Sequence, residues 1–392
     1  MERRVFVTSA LTAPLVPSGP QPKRAGESRL ISQVPTPALL LDLDAFESNL
    51  RTLADHCQRA GVGFRPHAKT HKCPEIARRQ IAAGALGVCV ATVTEAEIMV
   101  AAGIRGVLLT SPVVEPRKIE RMVQLANRGG AMMSLGHART AELLNEAAEA
   151  ARLRVEVLID LDVGDGRTGV TPGAQALELA QAIGRCRRLQ LVGVQAYSGG
   201  ASHTVGFEQR SRVSREAMGK AAETKALLAR EGFEMRILSG GSTGTYNIDH
   251  EIPGVTELQV GSFIFMDVDY RRIGNRSGGA VYDDFRPSLT VLTTVVSTPR
   301  TDRVTVDAGT KALDTTTTSR PEAKDWPGLT YNRAGDEFGA VTVPPGARVP
   351  QLGDRFEFIV PHCDPSVNLY DRLHVVRGDR VEAIWPVAAR RG

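Results

Sequence analysis

The chain has no uninterrupted apolar run long enough to cross a bilayer, no paired-cysteine spacing and no excess of one charge. Its five cysteines, Cys57, Cys73, Cys89, Cys186 and Cys363, are scattered and odd in number, and no CxxC occurs. Neither a disulfide framework nor a zinc ribbon is indicated, and a reducing cytoplasm is the simplest compartment. Lys and Arg number 48 against 44 Asp and Glu, a net charge of +4. So even a balance gives no reason to expect nucleic acid or a membrane as partner. The start, MERRVFVTSALTAPLVPSGP, sets an arginine pair before a mildly apolar stretch, as a secretory signal does. Thr, Ser and Pro interrupt that stretch, so residues 1–34 read as a loosely docked arm.

What is present is 392 residues, 42% hydrophobic, enough for two domains or for one large barrel with a smaller unit. Eight short apolar runs can be counted: GFRPHAK (63–69), GVCVAT (87–92), GVLLTS (106–111), AMMSLG (131–136), RVEVLIDLD (154–162), LQLVGVQAY (189–197), MRILSGG (235–241) and TELQVGSF (256–263). Between most of them lie segments such as CPEIARRQIAAG and GAQALELAQAIGRC, with apolar residues three or four apart. Strand–helix alternation at roughly 30 residues per unit means parallel strands with right-handed crossovers. The fold class expected is α/β, a (β/α)8 TIM barrel over 35–275, with an open doubly wound sheet as the alternative. From about residue 276 to 392 the texture becomes Val- and Thr-rich with alternating polarity, as in PSLTVLTTVVSTP and RFEFIVP, which predicts an antiparallel β domain. The early run at 37–44 has no barrel position of its own and is free to pair with that β domain.

In such a barrel the chemistry gathers where strands end. Lys69 closes the first run. GDGRTGV places Arg167 after the fifth, Tyr197 closes the sixth, and His203 lies just beyond it. SGGSTGT follows the seventh run, and Gly261 and Ser262 end the eighth. Glycines let backbone N–H groups approach an anion, and Ser242, Thr243 and Ser262 add hydroxyls, at the position where this fold holds phosphate. A tight turn explains the glycines equally well on pattern alone. An amine and a phosphate cradle on one rim suggest pyridoxal phosphate. Farther along, PHCDPSVNLYD carries His362 and Asp364 on either side of Cys363. In an extended segment these two point the same way and can share an ion. Nitrogen and carboxylate ligands suit Mn²⁺ or Mg²⁺, with Co²⁺ and Zn²⁺ as further candidates. The competing reading is a hydrogen-bonded His–Asp pair in a loop.

Taken together, RPHAKTHK, GDGRTGV, QAYSGGASH, SGGSTGT, ELQVGSF and PHCDPSVNLYD resemble the D-threonine aldolase and D-serine dehydratase family, fold-type III pyridoxal phosphate enzymes related to alanine racemase. The resemblance runs from about residue 35 to the C-terminus. It implies a barrel plus β domain, a homodimer, and Lys69 as the Schiff-base lysine. It implies that Arg167 meets the cofactor's phenolic oxygen, that Tyr197 lines its pocket, that His203 is the base, and that Thr243, Gly244, Gly261 and Ser262 hold the phosphate. In the family, dehydratases show H-x-C and D-threonine aldolases H-x-D at the metal motif, so Asp364 favours an aldolase acting on a D-3-hydroxy-amino acid. Many relatives carry a His in the segment that here reads GDEFG, with Phe338. A dehydratase acting on D-serine or 3-hydroxyaspartate is the alternative. A non-catalytic cofactor carrier is disfavoured, since such carriers are expected to lack a β domain with a metal motif. Arg271, Arg272 and Arg276, just past the eighth run, and Lys311 from the β domain are candidate cations for a substrate side-chain carboxylate, which would favour 3-hydroxyaspartate over D-threonine.

Overall fold

A computed structural model describes residues 29–390; the expected arm therefore lies almost wholly outside the described residues. Each apolar run forms a strand, shorter than the run itself because its ends turn into loops. The strands are Gly63–Phe64, Cys89–Val90, Leu108–Leu109, Met132–Leu135, Val155–Leu161, Leu189–Ala196, Ile237–Gly240 and Glu257–Leu258. All neighbours pair in parallel, and the eighth strand returns to the first. Beyond Phe64 the chain bends at Pro66, which has no N–H to give to a ladder. The last seam is then closed by a bridge from His67 to Cys89, where Cys89 N–H donates to Pro66 O at 2.8 Å and Ala68 N–H to Cys89 O at 2.7 Å. The expected (β/α)8 barrel is thus present.

Helices Pro74–Ala82 and Ala174–Gly184 form in the segments whose three-to-four spacing predicted them, and a further helix precedes the first strand. In Leu43–Ala60 the buried residues Leu43, Phe46, Leu50, Leu53 and Cys57 fall on one stripe. Asp42 caps its start by accepting from Ala45 N–H, and Gly61, at φ 65°, ends it in the left-handed region. None of the described helices is long and apolar enough to cross a membrane.

The second sheet has ten strands. Six of them close on themselves: Leu289–Arg300, Arg303–Val306, Gly339–Thr342, Thr330–Arg333, Glu322–Ala323 and Arg355–Ile359, the last pairing again with Leu289–Arg300. Ala38–Asp42 lies between Leu289–Arg300 and Arg372–Arg377. Both its faces are covered. Leu39 and Leu41 join the large cluster that also holds Phe64, Phe263 and Phe358, while Ala38 and Leu40 join a smaller one with Leu292 and Val376. That is why ALLLD is apolar without alternating. The large cluster spans barrel and β domain, and this shared core sets the loop carrying His362 against the barrel rim.

Candidate active site

A cavity of about 440 Å³ opens at the C-terminal end of the barrel strands. Lys69, Arg167, Tyr197, His203, Ser242, Thr243, Gly261, Ser262, His362 and Asp364 all line it. Residues that are 295 positions apart, Lys69 and Asp364, approach to 3.5 Å between Nζ and Oδ2.

Lys69 is placed by a turn rather than by a strand. Thr70 N–H donates to His67 O, and His71 N–H to Ala68 O at 3.1 Å. His67 lies beneath. Thr110 Oγ1 donates to Val90 O, so it accepts from His67 Nε2 at 3.1 Å, and His67 Nδ1 is left to accept the Lys69 N–H at 3.4 Å. Burial first, and then the nearby cations of Lys69, His71, Lys72 and Arg167, push the His67 pKa well below its usual value. A neutral imidazole thus supports the amine. Lys72 sits at φ 51° in the turn, and the helix begins at Pro74. Its Nζ is 2.7 Å from the buried carboxylate of Glu95, which also accepts from Ala91 N–H. Only Lys69 of the two faces the cavity.

The glycine-rich loop after the seventh strand and the Gly-Ser of the eighth are neighbours: Phe263 N–H donates to Thr243 Oγ1 at 2.9 Å. Among the described residues, the N–H groups of Thr243, Gly244, Gly261 and Ser262 have no partner in the protein. Buried backbone donors are nearly always paired, so this cluster fits an anion such as a phosphate. No side chain fits at two of these positions. A Cβ on Gly244 would lie 2.1 Å from Ser202 O, and one on Gly261 would lie 2.8 Å from Thr70 Oγ1. The loop is braced from behind. Thr245 Oγ1 accepts from Ser242 N–H and donates to the buried Asp249, whose burial pushes its pKa up to about 6, against the pull of Ser214 and Thr245. Arg210, also fully buried, donates to the carbonyls of Gly244, Thr204, Ile273 and Gly274.

The guanidinium of Arg167 stands 5.2 Å from the centroid of the Tyr197 ring. Asp160 forms part of the cavity floor, where it accepts from Gln195 Nε2 at 2.9 Å, and burial raises its pKa. His203 stacks on Tyr270 at 4.5 Å, and its Nδ1 donates to Gly199 O at 3.4 Å, which leaves Nε2 as an acceptor.

His362 and Asp364 do not alternate along an extended segment as expected. His362 is extended at φ −141°, but a short helix, Cys363–Val367, begins immediately after it. Both side chains still reach the cavity, while Cys363 is buried away from it. Asp364 Oδ1 is buried without any partner, and His362 Nδ1 is bonded to Asp267 Oδ2 at 3.0 Å. Burial works against charge on His362, yet the carboxylates of Asp267, Asp364 and Asp269 push it up to about 9. An orphaned carboxylate oxygen beside an imidazole with its outer nitrogen unbonded suits a divalent cation, which would complete its shell with water or substrate. No cluster of three or more His, Cys, Asp or Glu that could hold a metal ion is found among the described residues.

Comparison with known proteins places the architecture. The alanine racemase N-terminal domain profile matches residues 41–269, and a putative serine dehydratase domain matches 288–376. The chain is 41% identical to the D-threonine aldolase of Arthrobacter sp. over 95% of this chain and 96% of that one. It belongs to the D-threonine aldolase family of alanine racemase-like proteins. It is also 34% identical to the 3-hydroxy-D-aspartate aldolase of Paracoccus denitrificans strain Pd 1222, over 92% of this chain and 93% of that one. The crystal structure of D-threonine aldolase from Filomicrobium marinum superposes with a TM-score of 0.88 at 38% identity, covering 93% of this chain and 98% of that one. The D-threo-3-hydroxyaspartate dehydratase of Delftia sp. HT23 gives 0.81 at 26%, covering 91% and 98%. Pyridoxal phosphate is the cofactor this family implies.

Five expected site residues do not line the cavity of this family member: Gly244, which adjoins it through Thr243, and four cations. Arg271 pairs with Glu322 at 3.2 Å, and Arg272 donates to Ser319 Oγ. Arg276 lies over the Phe207 ring at 5.4 Å, and Lys311 pairs with Glu337 on the surface. Arg271 ends the short helix Val268–Arg271 and Arg272 follows it, each turned to its own partner. Phe338 is likewise exposed and does not line the cavity. Conversely, Tyr270 and Asp267 carry part of the site and were missed. They lie in MDVDYRRIGNR, where the arginines drew attention and an aspartate three residues before a tyrosine reads only as a helix cap.

Proposed function

We propose that the protein is a pyridoxal phosphate- and divalent-metal-dependent aldolase that cleaves D-3-hydroxy-amino acids to glycine and an aldehyde, with D-threonine-like neutral side chains preferred. The observation that carries this reading is the 3.5 Å approach of Lys69 Nζ to Asp364 Oδ2, which sets the amine beside the cation-binding pair. A substrate amino group bound beside Lys69 would bring its β-hydroxyl toward the same carboxylate.

Bound there, the cofactor supplies an electron sink for bond cleavage at Cα, and the cation supplies Lewis acidity at the β-hydroxyl. The chain does the rest. Lys69 Nζ offers the amine that takes the aldehyde. The free N–H groups of Thr243, Gly244, Gly261 and Ser262, with the Ser242 and Ser262 hydroxyls, receive the phosphate. Arg167 would keep the phenolic oxygen ionised. His362 Nε2 and the Asp364 carboxylate would hold the cation. His203 Nε2 would take the β-hydroxyl proton.

A neutral side chain is favoured because the Lys and Arg cations lining the cavity, Lys69 and Arg167, both have tasks. Asp162 and Asp165 line it as well, and the N–H groups of Gly166, Gly164 and Asp165 hold the Asp162 carboxyl below its usual pKa. A second carboxylate on the substrate would meet charge of its own sign. The test is to supply Mn²⁺ and compare D-threonine, D-3-hydroxyaspartate and D-serine, measuring glycine, aldehyde and ammonia. Glycine with acetaldehyde, at a higher kcat/KM for D-threonine than for hydroxyaspartate, is expected. Ammonia as the main product would replace the aldolase by a dehydratase. Loss of hydroxyaspartate turnover in Arg271→Ala or Lys311→Ala would restore a role for those cations.

A further inference from the structure

Asp267 lies outside the cavity lining, at the point where the barrel meets the β domain. It follows the eighth strand by nine residues and is fully buried. Its Oδ2 accepts from His362 Nδ1 at 3.0 Å and from Cys363 N–H at 2.9 Å. Its Oδ1 accepts from Tyr270 N–H at 2.9 Å. Two backbone bonds reinforce the junction: Val268 N–H donates to Val360 O, and Asp269 N–H to Pro361 O, both at 3.1 Å. The segment leaving the barrel is thereby fastened to the segment entering the His362–Asp364 motif, with one carboxylate at the fastening point.

A carboxylate that already accepts two backbone N–H groups has only acceptor capacity left for the imidazole. The hydrogen between Asp267 and His362 therefore sits on Nδ1, and Nε2 is the nitrogen left to exchange its proton for a cation. We propose that Asp267 is the positioning residue of the cation site: it fixes the His362 tautomer, aims Nε2 into the cavity beside the orphaned Asp364 Oδ1, and through Tyr270 sets the ring on which His203 stacks. One buried group thus orients both the cation ligand and the platform of the base. The inference rests on the metal-dependent reading above. It goes beyond that reading because Asp267 itself touches neither cation nor substrate.

The test uses pyridoxal phosphate-loaded, metal-stripped protein. Mn²⁺ binding is followed by electron paramagnetic resonance in the parent and in Asp267→Asn. An amide can accept on one side only, so it cannot serve both Tyr270 N–H and the pair formed by Cys363 N–H and His362 Nδ1–H. The Mn²⁺ dissociation constant is expected to rise about 10- to 100-fold. The cofactor absorbance should stay unchanged, a split that general unfolding does not produce. A change of less than about twofold overturns the assignment. A second measurement needs no variant: in ¹⁵N-histidine-labelled parent protein loaded with Zn²⁺, the His362 signals should show the cation on Nε2 and the proton on Nδ1. The cation on Nδ1 refutes the proposal. Failure of the parent to bind Mn²⁺ or Zn²⁺ at all refutes the metal-dependent function itself, and is thereby distinct from failure of the Asp267 role.

Discussion

Arg210→Met is the substitution whose cost is most directly worked from the structure. The guanidinium is fully buried, has no carboxylate ion partner, and donates to four carbonyls belonging to the loops after the sixth, seventh and eighth strands. Ile273 O also accepts from Gly206 N–H, so removing the guanidinium leaves the carbonyls of Thr204, Gly244 and Gly274 without a partner. Each buried carbonyl left unpaired costs roughly 1–3 kcal/mol, and methionine fills most of the vacated volume but satisfies none of them. Relaxation and water reduce the sum, so a loss of about 3–5 kcal/mol is expected in urea unfolding followed by circular dichroism. The same change frees the Gly244 carbonyl to rotate, and the adjoining N–H groups lose their common direction. Affinity for pyridoxal phosphate, measured by titrating the apoprotein, should therefore fall about tenfold or more even at denaturant-free equilibrium, whereas affinity for Mn²⁺ should not. A loss of stability under about 1 kcal/mol with unchanged cofactor affinity would refute the argument that this one side chain holds three rim loops in register.

Borohydride reduction of the cofactor-loaded protein should label Lys69 and spare Lys72, because Lys72 Nζ is held 2.7 Å from buried Glu95; peptide mapping that finds the label on Lys72 would reverse the assignment. His71 is fully buried and its pKa is pushed down to about 4, by burial before any other cause. The unfolded chain binds that proton near pH 6.5, so the native state should lose stability as pH falls from about 6.5 toward 4, by on the order of 3 kcal/mol, with no loss above that range. Urea midpoints at pH 5 and pH 7.5 should differ less in His71→Gln than in the parent; equal differences would show that another group sets the acid limb.

Much of this was written locally. The eight strands and their helices follow from apolar periodicity, which depends only on neighbours within a few residues, so the barrel could be counted before any contact was known. Lys69, Arg167, Tyr197 and His203 were legible because a parallel barrel sends every strand end to one rim. The residues that end strands are therefore brought together whatever else the chain does. Glycines 244 and 261 were legible as permissive turns, but the reason no other residue fits, the 2.1 Å approach to Ser202 O and the 2.8 Å approach to Thr70 Oγ1, belongs to loops distant in sequence.

Only the tertiary structure decided which polar residues near the rim serve the site. Arg271, Arg272, Arg276 and Lys311 have the right charge and the right neighbourhood, yet each is turned to a partner of its own, because a side chain's direction depends on the helix phase and on packing beyond its own segment. Asp267 and Arg210 gave no signal. One looks like a helix cap and the other like a charge on a surface helix, and both become structural centres only when segments up to 96 residues away are folded against them. The approach of His362 and Asp364 to Lys69 depends on the core shared by barrel and β domain, with Ala38–Asp42 inserted into the far sheet. Local pattern determines which elements form and which chemistry they carry. Long-range burial determines which of those groups meet, since a buried donor or charge is tolerated only where the rest of the fold supplies its partner.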